Sequence, residues 1–134
     1  MANDNVLLSS IESTLSERES RYGSFNGHAR ITQDLKNVMQ TNFNWLALTP
    51  SQKEALEMVA HKIGRILNGD PNYIDSWHDI AGYVTLVEKE LIEKELIEKK
   101  AQLKQKETYY ERIEQASKPS YSPLRDDTWN SFIV

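Results

Sequence analysis

The residues that interrupt helices constrain this chain most. Five glycines and four prolines occur in 134 residues, and most of them stand between long stretches in which apolar residues recur every three or four positions. Glycine and proline mark breaks between elements, whereas three- and four-residue apolar spacing is typical of amphipathic helices. The sequence therefore predicts an all-α protein, a bundle of four main helices with an extended fourth helix.

The first two helices are predicted from apolar spacing and from a glycine stop. The first is expected to end near Tyr22-Gly23, because glycine commonly follows the last residue of a helix. The second is expected over about residues 28–40, and the apolar stretch 43–48 is expected to be a packed connection. The residues expected to face inward are Val6, Leu7, Leu8, Ile11 and Leu15 in the first helix, and Ile31, Leu35, Val38 and Met39 in the second.

The third and fourth helices have clearer signals. Thr49-Pro50-Ser51-Gln52 is typical of a capped helix start, with proline in the first turn and glutamine three residues after threonine. This helix is expected to stop at Gly69, and the fourth to begin near Ile74. Their expected apolar faces are Leu56, Val59, Ala60, Ile63, Ile66 and Leu67, and then Trp77, Ile80, Val84, Val87 and Leu91.

Charge separates the last third of the chain from the rest. The unit Glu-Lys-Glu-Leu-Ile occurs twice over residues 88–97, and a step of five residues turns about 140° around a helix, which does not extend a heptad seam. We therefore expect a helical domain over residues 3–90, a charged, solvent-facing helical extension over 91–116, and a linker and apolar tail over 117–134. The tail either folds back or frays, or it binds a partner.

Composition excludes several classes of protein. The net charge is −4, with no single basic block, which disfavours nucleic-acid binding as the main activity. The absence of cysteine excludes a disulfide framework, a thiolate zinc site and a cysteine nucleophile. The N-terminal residues lack the pattern of a signal peptide, and no apolar run is long enough for a membrane span. We expect a soluble, cytoplasmic protein.

Two acidic pairs form the candidate chemical site. Glu54 and Glu57 share a face of the third helix, and Asp75 and Asp79 share a face of the fourth. If the two helices pack antiparallel, both pairs converge on one cleft. Four carboxylates without thiolates suit Mg²⁺ or Mn²⁺ as metal ligands. Asp75 also lies in a first turn, where the helix dipole favours an acid.

This site predicts chemistry on phosphate. A carboxylate-held Mg²⁺ completes its shell with water and substrate phosphates, so a nucleotide or another polyphosphate is the expected substrate, attacked at a phosphoanhydride by metal-activated water. Lys62 and Arg65 stand nearby for phosphate charge. The same residues also have structural interpretations. Glu54 and Glu57 are then dipole-favoured or solvated acids, and Asp79 is an ion-pair partner of Lys62 or Arg65.

Three segments carry a resemblance to a known family. They are Glu54-Ala-Leu-Glu57 to Lys62-Ile-Gly-Arg65, Asp75-Ser-Trp-His-Asp79-Ile-Ala-Gly-Tyr83, and the upstream Glu17-Arg18 to Tyr22-Gly23-Ser24-Phe25 followed by His28. Over about residues 10–88 the chain resembles a small phage-encoded family related to the MazG-like all-α NTP pyrophosphatases.

The resemblance implies a function and a set of site residues. It implies a four-helix bundle, a dimer or tetramer, and Mg²⁺-dependent hydrolysis of nucleoside triphosphates to monophosphates and pyrophosphate. Catalytic roles would fall on Glu54, Glu57 and Asp79, with Asp75 as a further metal ligand. The family has Glu-x-x-Asp as its second pair, whereas this chain has Asp75-x-x-x-Asp79.

A nucleotide pocket is expected beside the acidic pairs. Tyr22, Phe25 and His28 would line a base or ribose pocket, and Arg18, Lys62 and Arg65 would contact phosphate. Alternatively, Tyr22 and Phe25 pack the turn between the first two helices into the core. The histidines at 28, 61 and 78 fall on three different helices, and each is equally suited to a structural role.

The sequence leaves two functions of different class. The first is a Mg²⁺-dependent nucleotide pyrophosphohydrolase. The second is a non-catalytic phage accessory protein that binds a nucleotide or a host protein, the latter through the C-terminal tail, with the acidic pairs as internal ion-pair partners. A purely structural helical protein is a third, less favoured interpretation.

Overall fold

The chain folds into α-helices. A computed structural model describes residues 2–121, with side chains from residue 10 onward, and this part of the chain contains no strand. The expected all-α class with a long fourth helix is confirmed. The tail residues 122–134, expected to fold back or bind a partner, lie outside the described residues. The helices are α1 (Ala2–Tyr22), α2 (Phe25–Gln40), a short 3₁₀ helix (Phe43–Ala47), α3 (Pro50–Asn68) and α4 (Ile74–Ser117).

Local sequence signals set most of the helix ends. Gly23 follows α1 with φ +71°, a conformation that side chains other than glycine rarely adopt. The second helix begins at Phe25, three residues before the expected His28. The reason is Ser24, whose side chain accepts a hydrogen bond from the Gly27 N–H and so caps the helix earlier.

The capping box of α3 is confirmed in both directions. The Gln52 N–H donates to Thr49 Oγ1 at 3.3 Å, and the Thr49 N–H donates to Gln52 Oε1 at 2.9 Å. The helix ends at Asn68, and the Gly69 N–H donates back to the Arg65 carbonyl at 2.9 Å. Both ends of α3 therefore lie where the sequence predicts them.

The closest packing lies between α2 and α3, and α1 contacts both. Gly64 makes this approach possible, because a Cβ atom at this position would collide with Thr32 Oγ1. Among the described side chains from residue 10 onward, Ala60 is the one buried apolar residue, with 3% of its surface exposed. The other buried residues are polar or glycine: His28, Thr32, Lys62, Gly64 and Ser76. The set of buried residues is thus small and largely polar.

The inward face of α4 differs from the expected one. Buried and half-buried positions follow Ser76, Ile80, Tyr83 and Val87, whereas the expected Trp77, Val84 and Leu91 are exposed. An ion pair between Asp79 and Lys62 of α3 and the burial of Ser76 accompany this rotation. Ile80 and Val87 are thus half-buried as expected, and the other three positions were wrong because apolar spacing alone does not reveal a polar contact between helices.

The apolar residues of α2 and of the connection after it are only partly covered. Ile31, Leu35 and Met39 are half-buried as expected, but Val38 is exposed. The connection 43–48 contains the 3₁₀ helix Phe43–Ala47, and Trp45 and Leu48 are half-buried. The connection was expected to be packed along its whole length. This expectation fails for Phe43 and Leu46, which are exposed.

The contacts divide the chain into two units at residue 92. In the second unit, residues 93–117 are helical and every side chain is exposed, as expected for a charged extension. Lys99 and Glu95 form a surface ion pair one turn apart at 2.6 Å. No helix among the described residues is long and apolar enough to cross a membrane.

Candidate functional site

A cleft of about 470 Å³ opens between α1, the α1–α2 turn and α3. Four of its residues lie on α1 at positions 15, 18, 19 and 22, a spacing that places them on one helical face. Two lie one turn apart on α3. The cleft is lined by Leu15, Arg18, Glu19, Tyr22, Gly23, Phe25, His28, His61 and Arg65.

The α1–α2 turn is fixed against the end of α3. Asn68 Nδ2 donates to the Tyr22 carbonyl at 2.7 Å and to the Ser24 carbonyl at 2.9 Å. Gly23 packs so close to Asn68 that a Cβ atom would collide with the Asn68 carbonyl oxygen. These contacts hold the aromatic residues of the turn beside the last turns of α3, where Arg65 lies.

Arg65 and Tyr22, which both line the cleft, belong to a stack of arginine and tyrosine side chains. The Arg65 guanidinium lies 4.2 Å from the centroid of the Tyr22 ring, and the edge of that ring meets Tyr73 at 5.8 Å between centroids. Arg21 donates to the Tyr73 hydroxyl at 3.2 Å. A guanidinium over an aromatic face is held in place while its N–H groups stay available for an anion.

Two cations of the cleft have no carboxylate partner within the described part of the chain. Arg18 and Arg65 form no ion pair there, although the carboxylate of Glu19 lines the same cleft. Arginine without a paired acid is suited to bidentate contact with phosphate or carboxylate. The cleft therefore carries available positive charge next to aromatic surface.

Two histidines meet at the base of the cleft. His28 Nε2 lies 3.0 Å from the His61 carbonyl oxygen and 3.3 Å from Thr32 Oγ1. A carbonyl only accepts, so Nε2 carries the proton and donates. The two rings pack edge to face at 4.5 Å. This bond joins α2 to α3 and fixes the orientation of the His28 ring.

His61 is neutral near physiological pH. Burial lowers its pKa to about 4, and the charges of His28, Arg65, Lys62 and Lys36 act in the same direction. A neutral imidazole offers one N–H donor and one acceptor. His61 therefore brings hydrogen-bonding capacity to the cleft without adding charge.

The structure brings together most of the predicted nucleotide-binding residues. Five of the six line this one cleft, while Lys62 does not. Lys62 is buried and forms an ion pair with Asp79. The ion-pair interpretation of Asp79 is the one that this geometry matches. The five lining residues are Arg18, Tyr22, Phe25, His28 and Arg65.

Sequence reasoning missed Leu15, Glu19 and His61 as cleft residues. The signal for the first two was present, because Leu15 lies three residues before Arg18 and Glu19 lies three residues before Tyr22, so that they share a helical face. His61 lies four residues before Arg65 on α3, which gives the same signal.

The predicted metal ligands are not brought together in this chain. Lys36 Nζ donates to Glu57 Oε2 at 2.9 Å, and Asp79 is paired with Lys62, whose hydrogen bond lowers the Asp79 pKa. Glu54 and Asp75 are exposed. Within the described residues, no group of three or more histidine or acidic side chains is placed to hold a metal ion. The four carboxylates as arranged here do not fit Mg²⁺ or Mn²⁺, and their metal role stays a prediction.

Comparison with known proteins adds a family. A family described as a domain of unknown function, DUF6378, matches residues 5–91. No match was found among curated proteins or solved structures. The matched range contains the whole cleft and ends beside the boundary between the two units at residue 92. The resemblance to MazG-like pyrophosphatases stays a prediction. Because the match covers more than half of its length, the chain belongs to the DUF6378 family.

Proposed function

We propose that this protein binds a nucleotide in the cleft between α1 and α3 without hydrolysing it. The observation that carries the proposal is that five residues expected to bind a nucleotide line one cleft. They include two arginines without carboxylate partners in the described chain. Cationic and aromatic side chains together match a ligand that carries both phosphate and a ring.

The residues of the cleft have distinct roles in this proposal. Arg18 and Arg65 contact the phosphates, since guanidinium groups bind them bidentately. Phe25 has 83% of its surface exposed, so a base that stacks on it removes apolar surface from water. Tyr22 holds Arg65 in place. His61, which is neutral, reads a polar edge of the ligand.

Two ion pairs favour binding over hydrolysis. Glu57 is bonded to Lys36, and Asp79 to Lys62. A metal ion at these carboxylates would have to displace both lysines, and Lys62 would then be a buried, unpaired charge. In this proposal the acids act as internal ion-pair partners.

The hydrolase remains the alternative. It requires Mg²⁺ or Mn²⁺ and uses Glu54, Glu57 and Asp79, and the same experiment tests it. Both versions place the protein in the cytoplasm, as a homo-oligomer and with a phage origin. Binding of a host protein through the tail is a further expectation.

Calorimetry with a panel of nucleoside mono-, di- and triphosphates tests the proposal, with Mg²⁺, Mn²⁺ or a chelator present and the nucleotide recovered for chromatography. We expect one nucleotide class to bind without a metal requirement and to be recovered unchanged. Arg65→Ala should weaken binding by at least about tenfold, because a charge-assisted contact is lost. Arg30→Ala is the matched control, since Arg30 is exposed on α2 outside the cleft.

Three results would contradict the proposed nucleotide binding without hydrolysis. Absence of binding across the panel, or equal loss in both arginine variants, would rule out the cleft as a nucleotide site. Metal-dependent release of pyrophosphate that disappears in Glu57→Gln would instead establish the hydrolase.

A further inference from the structure

Two arginines supply the positive charge that a ligand meets in the cleft. Arg18 of α1 and Arg65 of α3 line it and form no ion pair within the described part of the chain. The two imidazoles add little for an anion. His61 is neutral, and His28 is buried with its Nε2–H donated to the His61 carbonyl at 3.0 Å. The phosphate of a ligand therefore depends on two guanidinium groups.

Within the described side chains of α1, α2 and α3, the other lysines and arginines do not supply a third cation. Arg30 lies about 200° around α2 from His28 and does not line the cleft. Lys53 precedes Arg65 by three turns of α3, about 18 Å along the helix. The rest form ion pairs, which are Arg21 with Glu17, Lys36 with Glu57, and Lys62 with Asp79. A second or third phosphate on the ligand therefore finds no cation of its own.

Glu19 adds a negative charge to the same lining. It lies next to Arg18 in the chain and three residues before Tyr22, on the cleft face of α1. Its carboxylate forms no ion pair within the described residues. A carboxylate accepts hydrogen bonds and donates none, so it suits an N–H or hydroxyl group of a ligand and repels a phosphate. Glu19 therefore limits how much negative charge the cleft accepts.

The cleft is also small. Its volume of about 470 Å³ lies in the lower part of the range of roughly 300 to 1,000 Å³ that small-molecule pockets span. The Tyr22 ring already lies against the Arg65 guanidinium, which leaves Phe25, with 83% of its surface exposed, to stack on a base. The space and the aromatic surface suit one base with a short phosphate group.

We propose that the cleft selects a nucleoside monophosphate, with the phosphate held by Arg18 and Arg65 and with Glu19 acting against any longer phosphate chain. A phosphate monoester carries about −1.5 to −2 charges near pH 7, which two guanidinium groups balance. Each further phosphate adds negative charge and brings it near Glu19. This inference rests on the nucleotide binding proposed above and specifies the class of ligand.

Calorimetry on the full chain tests the class of ligand with a matched series for each common base: the nucleoside and its 5′-mono-, di- and triphosphate. One set contains a chelator, and a second contains Mg²⁺. In both sets we expect the monophosphate of at least one base to bind at least about tenfold more tightly than its triphosphate and its nucleoside. Ribose 5-phosphate, which has no base, should bind at least about tenfold more weakly than that monophosphate.

The outcomes separate this inference from the proposed function. If no nucleotide of the series binds, the nucleotide site itself is refuted, and this inference with it. A triphosphate that binds as tightly as the monophosphate, with or without Mg²⁺, overturns the class of ligand and leaves nucleotide binding standing. A nucleoside or ribose 5-phosphate that binds as tightly as the monophosphate also overturns it, because the cleft would then not recognise base and phosphate together.

Neutralising Glu19 tests its part in the selection. Glu19→Gln keeps an acceptor oxygen and removes the charge, so the ratio of monophosphate to triphosphate affinity should fall at least about fivefold. Asp34→Asn is the matched control, because it removes the same unit of charge at an exposed position of α2 that does not line the cleft. Its affinity ratio should stay that of the wild type.

Two results with these variants would overturn the proposal: an unchanged ratio in Glu19→Gln, or an equal fall of the ratio in both variants. Either would show that Glu19 does not act on the phosphate chain. Both positions are exposed on helices, and circular dichroism checks that the variants fold. If Glu19→Gln does not fold, the wild-type series decides alone, because it requires no variant.

Discussion

At the scale of single residues, His61 links the cleft to pH. Its pKa is lowered from 6.5 to about 4, mainly by burial. At pH values between these two pKa values, His61 is therefore protonated in the unfolded chain and neutral in the folded chain. The stabilising effect is fully present above about pH 6.5 and is lost as the pH falls towards 4. Asp79 affects the pH dependence of stability only at lower pH, because the hydrogen bond from Lys62 holds its pKa below 3.8.

The first prediction follows from this shift. The free energy of unfolding in urea should fall by about 1 to 2 kcal/mol from pH 7 to pH 4.5 on account of His61, after allowance for its partial exposure. His61→Gln should remove this part of the decline, while His78→Gln, at an exposed position, should keep it. Parallel pH profiles of wild type and His61→Gln would contradict the assignment.

At the scale of helices, glycine has opposite roles at two positions. Gly64 lies where α2 and α3 approach most closely, and a Cβ atom there would collide with Thr32 Oγ1. Gly82 lies inside α4 with nothing within 4 Å of such an atom. The same substitution therefore meets packed structure in one helix and open space in the other.

The second prediction compares these two positions. Gly64→Ala should destabilise the fold by about 1 to 3 kcal/mol through overpacking. Gly82→Ala should stabilise it by about 0.5 to 1 kcal/mol, because alanine has the better helix propensity and fewer unfolded conformations. Urea unfolding measures both. A Gly64→Ala chain as stable as wild type would show that α2 and α3 do not pack this closely.

Helix ends could be predicted from sequence because their signals are local. Thr49 and Gln52 cap α3 within four residues, and Gly23 ends α1 with a positive φ. The rotation of α4 could not be predicted this way. It accompanies the contact between Lys62 and Asp79, which are seventeen residues apart and on different helices.

At the scale of the whole molecule, the same distinction separates the cleft from the metal site. Residues of the cleft share helical faces or lie in one turn, and the segments that carry the family resemblance include most of them. Convergence of the acidic pairs depended on how α3 and α4 approach. Instead, Glu57 and Asp79 each meet a lysine. The pair of Asp79 with Lys62 was one of the structural interpretations of the sequence, whereas nothing in the spacing pointed to Lys36 as the partner of Glu57.

The most direct measurement of the central claim is a crystal structure of the full chain grown with the nucleotide that binds most tightly. We predict phosphate oxygens within hydrogen-bond distance of Arg18 and Arg65, and the base against Phe25, with the Lys36–Glu57 and Lys62–Asp79 pairs intact. A nucleotide bound outside this cleft, or one held through a metal ion by Glu54, Glu57 and Asp79, would contradict the account.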